Sequence, residues 1–223
     1  MCIRDRHLLI HSGSRAAGQA ILAKYLPETE RDPNSKVRFL QADSEHGQAY
    51  LSDLEWARAY AAANRKQMLK ALDSAISPFG LRVDFDSVID VDHNHVQRET
   101  HDGQSLFVHR KGSQRVDTET TSIVPGSMGE PSFVVSGRGC AEAMFSCAHG
   151  AGRRMARKEA ANRISVKELR RQMRNVCYDE TKAKRLLDEA PAAYKEIGSV
   201  MKAQKKLVKI EQRRMPVLNF KAG

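Results

Sequence analysis

The stretch Phe145-Ser-Cys-Ala-His149-Gly-Ala-Gly-Arg153-Arg-Met-Ala-Arg157-Lys158 places one histidine directly before a glycine-rich turn and a cluster of arginines. A neutral imidazole has a free lone pair near pH 7, because its ordinary pKa is about 6.5. Glycines let backbone N–H groups approach a phosphate, and a helix beginning at Arg153 would point its positive end there. The stretch therefore predicts either a nucleophile or metal ligand beside a nucleotide phosphate, or a glycine turn capping a surface helix with His149 solvated.

The composition is that of a soluble globular protein. The 223 residues suffice for one large domain or two small ones, and 41% of them are hydrophobic. No apolar run approaches the roughly 20 residues that span a membrane, and the first six residues lack the apolar segment of a secretory signal. The four cysteines have no CxxC spacing, so neither a zinc clip nor a disulfide framework is expected. We expect a cytoplasmic protein without a membrane partner.

The positive charge is concentrated in the last third of the chain. Of the 37 Lys and Arg and 27 Asp and Glu, the residues from Gly150 onward carry 20 and 8, a balance of +12. The preceding residues carry 17 and 19, a balance of −2. This distribution favours a polyanionic partner such as a nucleic acid or a nucleotide. The alternative is a set of basic helices with solvated faces.

The first 80 residues predict a strand, two loops and two helices. Residues 8–10 form an apolar run typical of a buried strand, and residues 16–26 have helical character. The loop between them, His11-Ser-Gly-Ser-Arg15, could hold an anion or a metal, although a structural role for His11 is the alternative. Residues 27–36 predict an exposed loop. Residues 53–76 predict a long amphipathic helix that ends at Pro78 and Gly80, with its apolar positions in the core.

The middle of the chain predicts strands. Residues 81–91 have strand character and lead to Asp92-His93-Asn94-His95, where two histidines on one face could bind a metal together or form a polar strand rim. A turn at 101–104 predicts a hairpin, with His101 and His109 at the surface. The segment Pro125-Gly-Ser-Met-Gly129 is either a phosphate- or sugar-binding turn or an ordinary one.

The last part of the chain predicts one strand followed mainly by helices. Residues 133–135 form the strand, and residues 157–163, 166–174 and 192–213 form the helices. Residues 216–223 predict a terminal strand. The pattern as a whole predicts an α/β (α+β) fold with mixed β-sheets flanked by helices.

Seven motifs occur in one order that is characteristic of a known family. They are His11-Ser-Gly-Ser-Arg15, Asp92-His-Asn94, Arg110-Lys-Gly112, Pro125-Gly-Ser-Met-Gly129, Cys147-Ala-His-Gly-Ala-Gly-Arg153, Ala193-Tyr-Lys195 and Lys221. In these motifs the chain resembles the C-terminal half of the RtcB-type RNA-splicing ligases, from about His7 to the end. The resemblance implies an RtcB-like fold that is incomplete at the N-terminus, with residues 7–223 as part of a single catalytic domain. Residues 1–6 match nothing in the family and are expected to be a non-native leader.

The resemblance implies a GTP- and Mn²⁺-dependent RNA ligase. Such an enzyme joins an RNA 2′,3′-cyclic phosphate or 3′-phosphate to a 5′-hydroxyl, as in tRNA splicing and RNA repair. By this likeness His149 is the nucleophile that becomes a histidine–GMP intermediate, His11 and His93 are manganese ligands, and Tyr194 stacks on the base. The residues assigned to the guanine nucleotide are His93, Asn94, Pro125, Gly126, Ser127, Met128, Ser132, His149, Gly150, Ala151, Gly152 and Lys221.

The resemblance also implies binding partners, and the chain differs from the family pattern in several places. The expected partners are RNA (tRNA halves or cleaved RNA), GTP and an archease activator, with the protein a monomer. The family's N-terminal half, which supplies an Asp, a Cys and a His of a two-metal site, has no counterpart here, so the metal site is expected to be incomplete. Ala16-Ala17 stands where the family usually has Gly, and Cys147 is expected to pack beside His149 rather than bind metal. The alternatives are a catalytically silent nucleotide- or RNA-binding module and a paralogous ligase that repairs another damaged RNA.

Overall fold

A computed structural model describes residues 6–221, which divide into two compact units. The first unit ends at Asp90 and the second begins at Val91. The predicted leader at residues 1–6 lies, except for its last residue, outside the described residues. The assignment of residues 7–223 to one catalytic domain stays a prediction. No helix within the described residues has the length and apolar character needed to cross a membrane.

The first unit is built on two helices, α1 (Ala16–Tyr25) and α2 (Glu45–Ile76). Tyr25 is buried, its ring packs edge-on against Tyr50 at a centroid distance of 5.5 Å, and its hydroxyl donates to Asp53 at 2.9 Å. Two short strands, β1 (Glu30–Arg31) and β2 (Arg38–Phe39), pair antiparallel between the helices in sequence. They fall in and beside the segment predicted to be a loop.

Helix α2 begins eight residues before the predicted start at 53. The Ser44 hydroxyl caps it by accepting from the Gly47 N–H, which satisfies one of the amide groups left open by the first turn. The predicted end is confirmed, because a short 3₁₀ turn follows Ile76 and leads to Gly80 with φ +71°. The prediction that the apolar positions all lie in the core is wrong: Ala57 and Ala61 are buried, but three larger side chains of the set are exposed, namely Tyr60, Met68 and Leu72.

Two predicted strands of the first unit do not form. Residues 8–10 have no strand structure, and Leu8 and Leu9 are 48% and 47% exposed. Residues 81–91 also lack a strand and contain only a 3₁₀ turn, Phe85–Ser87. A short apolar run does not specify a strand unless a partner strand satisfies its backbone groups, and no described strand pairs with either segment.

The second unit opens with the predicted hairpin, which is confirmed. Strands β3 (Asn94–His101) and β4 (Gln104–Lys111) pair antiparallel over their full lengths. The two turn residues, Asp102 and Gly103, have φ values of 50° and 76°, as a tight two-residue turn with the twist of the strands requires. The hairpin leads the chain directly into Gly112.

Two further antiparallel sheets follow. Strand β5 (Ser113–Arg115) pairs with β8 (Ser146–Ala148). Strands β6 (Thr121–Val124), β7 (Ser132–Gly137) and β9 (Val208–Arg214) form a sheet in the order β6-β7-β9. All strand pairs of the described chain are antiparallel, and a single isolated bridge, between Cys177 and Leu218, is parallel.

The helices of the second unit agree with the predictions only in part. Helix α3 (Arg157–Arg163) has the predicted bounds, and α4 (Val166–Gln172) ends two residues early. The helix predicted at 192–213 is wrong, because that segment contains a 3₁₀ turn, helix α5 (Ile197–Ala203) and strand β9. The predicted strand at 216–223 is also wrong over its described residues 216–221, where only the bridge at Leu218 occurs.

Two apolar clusters stabilise the second unit. One joins α3 and α4 to the 3₁₀ segment Glu180–Glu189, with Leu169, Met173 and Leu186 among its members. The other lies between the three-stranded sheet and α5 and includes Val124, Val135 and Ile197. Helices combined with small antiparallel sheets confirm the predicted mixed α/β class.

Candidate active site

His149 follows strand β8 in the second unit and is held by its pairing with β5. Ala148, the last residue of β8, is in register with Ser113, so the residue after it reaches Gly112 at the end of the hairpin. Helix α3 begins at Arg157, so the prediction of a helix at Arg153 is wrong. Residues 149–156 are an irregular segment, and the backbone N–H groups of the glycine turn are not taken up by a helix.

The Gly112 carbonyl selects the tautomer of the neutral His149 ring. Nδ1 of His149 lies 2.7 Å from this oxygen, and the His149 backbone N–H donates to the same oxygen at 3.3 Å. A carbonyl oxygen only accepts hydrogen bonds, so Nδ1 must carry the proton of the neutral ring. Nε2 then has the free lone pair, and the ring is ready to act as a nucleophile or ligand through that atom.

His93 lies beside His149. The two ring centroids are 4.4 Å apart with an angle of 43° between the planes. The His93 carbonyl accepts a hydrogen bond from the Gly112 N–H at 3.0 Å, so Gly112 bridges the two histidine segments with its own backbone. Gly112 has φ +75°, a conformation that glycine adopts without strain. The structure therefore brings together two predicted site residues, His93 and His149.

His95 has different surroundings from His93. Its side chain is 3% exposed and pairs through Nδ1 with a carboxylate oxygen of Asp92. His101, predicted to lie at the surface, is also mostly buried, with its side chain 8% exposed and Nε2 2.9 Å from Glu99. That prediction is wrong for His101, whereas His109 is exposed as predicted.

The described residues do not gather a complete metal site. No group of three or more His, Cys, Asp or Glu side chains within residues 6–221 is arranged to hold a metal ion. His11 belongs to the first unit, where its loop is tied to α2: the Asn64 amide donates to Ser12 Oγ and Gly13 O, both at 3.1 Å. The donor chemistry of His93 and His149 suits a transition metal, but two imidazoles do not complete such a site.

The Pro125–Met128 turn packs on the glycine turn after His149. The Pro125 carbonyl accepts from the Ala151 N–H at 3.1 Å, and a Cβ added at Gly150 would lie 3.0 Å from the same oxygen. A Cβ at Gly126 would lie 2.5 Å from the Pro131 carbonyl oxygen, so this position has no room for a side chain. The two turns, which are distant in sequence, therefore form one surface.

The other residues predicted to bind the nucleotide differ in which of their atoms are accessible to a ligand. The Ser127 hydroxyl donates to Glu130 at 2.8 Å, and the Met128 side chain is buried in the apolar cluster around α3 and α4. Met128 therefore offers only its backbone to a ligand. Asn94 is exposed at the start of β3, and Ser132 is partly buried at the start of β7.

Lys221 and Tyr194 lie in a charged cluster with the arginines that follow the glycine turn. The Lys221 ammonium donates to Glu189 at 3.0 Å, and the Tyr194 hydroxyl donates to the same carboxylate at 2.6 Å. Arg153 donates to the Tyr194 hydroxyl at 2.8 Å, with its guanidinium 4.8 Å from the ring centroid. The predicted base-stacking residue thus already has a cation against its ring.

A buried ion pair supports the hairpin that positions Gly112. Arg110 is 1% exposed and forms a two-pronged pair with Glu99, which is 8% exposed. The Arg110 guanidinium also donates to Ser146 Oγ at 2.9 Å and to the Met144 carbonyl at 2.8 Å. Burial raises the pKa of Glu99, but the hydrogen bonds from Arg110 and His101 outweigh it and lower the pKa to about 2. Arg110 therefore ties β4 to the segment before His149.

The predicted packing of Cys147 is confirmed. This side chain is 2% exposed and belongs to the cluster beneath the three-stranded sheet. Burial raises the pKa of the thiol to about 11, in spite of a weak hydrogen bond from Gln114. A protonated, enclosed thiol is neither a nucleophile nor a metal ligand.

Sequence patterns did not reveal three carboxylates that organise the site. Glu99 lies 11 residues from Arg110, and Glu189 lies 32 residues from Lys221. Each of the three also has a partner close in sequence, namely His101 for Glu99, Ser127 for Glu130 and Tyr194 for Glu189. Glu130 also accepts from the Ile197 N–H at 3.3 Å, which connects the Pro125 turn to α5. The residues around these three carboxylates do not distinguish them from ordinary surface acids.

Comparisons with known proteins identify the family of the chain. The family model described as tRNA-splicing ligase RtcB matches residues 5–222. The RNA-splicing ligase RtcB of Escherichia coli (strain K12) is 34% identical over 221 residues, with 91% of this chain and 53% of that protein covered. The tRNA-splicing ligase RtcB of Nanoarchaeum equitans (strain Kin4-M) is 33% identical over 250 residues, with 96% and 52% covered.

A mycobacterial relative gives the same result. The RNA-splicing ligase RtcB of Mycobacterium tuberculosis (strain ATCC 25618 / H37Rv) is 32% identical over 223 residues, with 88% of this chain and 51% of that protein covered. The chain spans about half the length of these curated relatives. Because the family match runs through almost the whole sequence, this chain belongs to the tRNA-splicing ligase RtcB family.

Proposed function

We propose that this chain forms the nucleotide-transfer part of a GTP-dependent RNA ligase. The relatives are named as RNA-splicing or tRNA-splicing ligases, and the chain covers about half of each. The proposed reaction joins an RNA 2′,3′-cyclic phosphate or 3′-phosphate end to a 5′-hydroxyl end. Its setting is tRNA splicing or RNA repair.

The observation that carries the proposal is the hydrogen bond from His149 Nδ1 to the Gly112 carbonyl at 2.7 Å. An uncharged imidazole with a fixed N–H on one side has its lone pair on the other, at Nε2. Nucleophilic catalysis on a phosphate needs such a group held in one orientation. The backbone of Gly112 supplies this orientation from the bend between β4 and β5, so it does not depend on a mobile side chain.

The proposed reaction has three steps: GMP transfer to His149, GMP transfer to the RNA 3′-phosphate, and joining of the RNA ends. His149 Nε2 attacks the α-phosphorus of GTP, a P–N bond forms, and the bond to pyrophosphate breaks. The RNA 3′-phosphate then attacks the same phosphorus, which releases the imidazole and leaves GMP on the RNA end. The RNA 5′-hydroxyl finally attacks the activated 3′-phosphate, loses its proton and displaces GMP. A cyclic phosphate end is first opened by water to the 3′-phosphate.

The glycine turn and the arginine that follows provide positive potential for the triphosphate. Gly150 and Ala151 contact Pro125, Gly152 has φ +70°, and none of the three residues lies in a helix. Backbone N–H groups in such turns bind phosphate oxygens. We assign Lys221 and Tyr194 to the base, which is consistent with their position next to Arg153.

Mn²⁺ is part of the proposal, although the described residues do not fit a complete site for it. His11 and His93 are the ligands we assign to this chain, and at least one further protein ligand is needed. The metal would neutralise phosphate charge when bound.

A binding module without catalysis is the second candidate function. The lack of a third metal-binding side chain within the described residues favours it for the isolated chain. RNA would then bind through the basic residues after Gly150 by contacts to its phosphates. An archease activator, a monomeric state and a cytoplasmic location remain predictions.

Incubation with α-labelled GTP and Mn²⁺ separates the two functions. We expect the full-length gene product to acquire an acid-labile, hydroxylamine-sensitive label that is lost in His149→Ala and retained in His109→Ala, an exposed control histidine. We expect the isolated 223-residue chain to label poorly, because phosphate repulsion is only partly neutralised. Tight RNA binding by the full-length product without any label would support the module instead.

A further inference from the structure

One carboxylate in the second unit accepts hydrogen bonds from four side chains in three segments of the chain. Glu189 Oε2 accepts from the Tyr194 hydroxyl at 2.6 Å and from Lys221 Nζ at 3.0 Å. Glu189 Oε1 accepts from Nη1 of Arg153 at 3.4 Å and from Nη1 of Arg157. Three cations and one phenol therefore meet at a single side chain.

Glu189 is ionised although its side chain is only 13% exposed. Burial raises the pKa of this carboxyl, but the hydrogen bonds from Tyr194 and Lys221 and the charge of Lys221 outweigh it, so the pKa falls to about 2. Burial, followed by the hydrogen bond to this carboxylate, raises the pKa of Tyr194 to about 12. At neutral pH the carboxylate is an acceptor and the phenol is a donor.

The carboxylate is connected to the glycine turn through the protein backbone. Arg153 and Tyr194 form an antiparallel bridge, and the Lys195 N–H donates to the Gly152 carbonyl at 2.9 Å. Because Arg153 and Tyr194 both bind Glu189, the carboxylate and the turn behave as one packed assembly.

Lys221 reaches this assembly from a lightly attached segment. Two backbone hydrogen bonds of 2.8 Å join Cys177 to Val217 and Asn219. The side chains of Val217 and Phe220 are 77% and 75% exposed, so apolar packing contributes little to the placement of the segment. The ion pair with Glu189 is the interaction that places the Lys221 ammonium.

We infer that Glu189 is a positioning residue, which holds Lys221 and Tyr194 in place beside the Gly150–Gly152 turn for binding of a guanine nucleotide. The inference rests on the proposed function. Glu189 does not itself face the phosphates, because an anion would repel them and because both of its oxygens already accept from protein donors. Its effect is on nucleotide binding rather than on the transfer step.

The test is a double-mutant cycle in the full-length gene product. Nucleotide binding is measured by equilibrium dialysis with a GTP analogue whose α–β bridging oxygen is replaced by methylene, since this analogue binds without transferring GMP. The variants are Glu189→Gln, Lys221→Met and the double variant, with Glu189→Asp as a conservative replacement. Glu159→Gln is the matched control, because Glu159 is an exposed carboxylate that pairs with Arg163 on α3.

We expect Glu189→Gln to weaken analogue binding about 10- to 100-fold, because the neutral amide loses the charged hydrogen bond that holds the partly exposed Lys221. We expect the double variant to bind the analogue no more weakly than whichever single variant binds it less tightly. The affinity of Glu189→Asp should lie between those of wild type and Glu189→Gln, and that of Glu159→Gln should be close to wild type. Labelling by GTP should show a raised KM with little change in kcat. If Glu189→Gln does not fold, the cycle is run with Glu189→Asp and Lys221→Met.

Binding by Glu189→Gln within twofold of wild type, or independent effects in the double variant, would overturn the inference. A fall in kcat without a change in KM would also overturn it, since a purely structural role reduces the active fraction. A wild type that binds the analogue but takes no label overturns the proposed function and leaves the inference intact if the cycle holds. A wild type that binds no nucleotide overturns both.

Discussion

The carbonyl oxygen of Gly112 lies 2.7 Å from Nδ1 of His149, and the Gly112 N–H donates to the carbonyl of His93. One residue with φ +75° therefore connects both histidines of the candidate site. A Cβ at this position would be 3.7 Å from Cε1 and Nδ1 of His149, an ordinary contact distance, so backbone strain is the main cost of a side chain there.

Gly112→Ala should lower both stability and histidine reactivity. The left-handed conformation costs a non-glycine residue about 1–2 kcal/mol, so the free energy of unfolding should fall by roughly that amount. Gly103→Ala is the matched control, because Gly103 has φ +76° in the hairpin turn and an added Cβ would meet nothing within 4 Å. Urea unfolding should show similar losses, whereas GTP labelling should fall only in Gly112→Ala. Equal labelling in the two variants would argue against the role of Gly112.

Arg110→Met should destabilise the second unit strongly. Removing one partner of a buried ion pair leaves an uncompensated charge and costs about 3–5 kcal/mol. Arg98→Met on the neighbouring strand is the control, because Arg98 is exposed and contacts Ser105 Oγ and the Phe107 ring rather than a buried carboxylate. Denaturant unfolding followed by circular dichroism measures the difference. A loss no larger than that of the control would contradict the support we assign to Arg110.

Stability should fall in acid partly because of Glu99. Its pKa in the folded chain is about 2, below the ordinary 4.5, so its ionised form is stabilised by folding. This contribution is present above about pH 4.5 and is lost as the pH falls toward 2. In urea titrations from pH 6 to pH 2.5, Glu99→Gln should show a shallower decline than wild type. Part of the decline in stability should remain in Glu99→Gln, because Glu189 also has a pKa of about 2 in the folded chain. An unchanged slope would count against the pairing.

Cys147 should resist alkylation. Its thiol is buried with a pKa of about 11, whereas Cys177 is exposed. Brief treatment with iodoacetamide at pH 8, followed by peptide mass spectrometry, should modify Cys177 first and leave Cys147 unmodified until the protein unfolds. Equal rates at the two cysteines would show that the segment before His149 opens more readily than the structure indicates.

The sequence predicted local features better than distant pairings. Helix α3 and the β3–β4 hairpin were predicted because their signals lie within a few residues: an arginine-rich helical run and an Asp-Gly turn. The helix expected at 192–213 was wrong because residues 208–214 gain strand hydrogen bonds to β7, and this tertiary pairing overrides the local helical pattern.

In the candidate site, too, the sequence predicted individual residues better than the contacts between distant segments. The motifs identified His149, His93 and Lys221, which the structure places in the second unit, His149 beside His93 and Lys221 on Glu189. The roles of Gly112 and Glu189 depend on contacts between segments more than 30 positions apart, such as Gly112 with His149 and Glu189 with Lys221. No local periodicity encodes such contacts.

The central claim is that His149 presents Nε2, with Nδ1 held by Gly112. The most direct measurement is NMR detection of ³¹P–¹⁵N coupling in full-length protein that carries ¹⁵N-histidine and has been labelled with GTP. We predict that the phosphorus of the bound GMP couples to Nε2 of His149 and that the signal is absent in His149→Ala. Attachment to Nδ1, or to any other residue, would contradict the account.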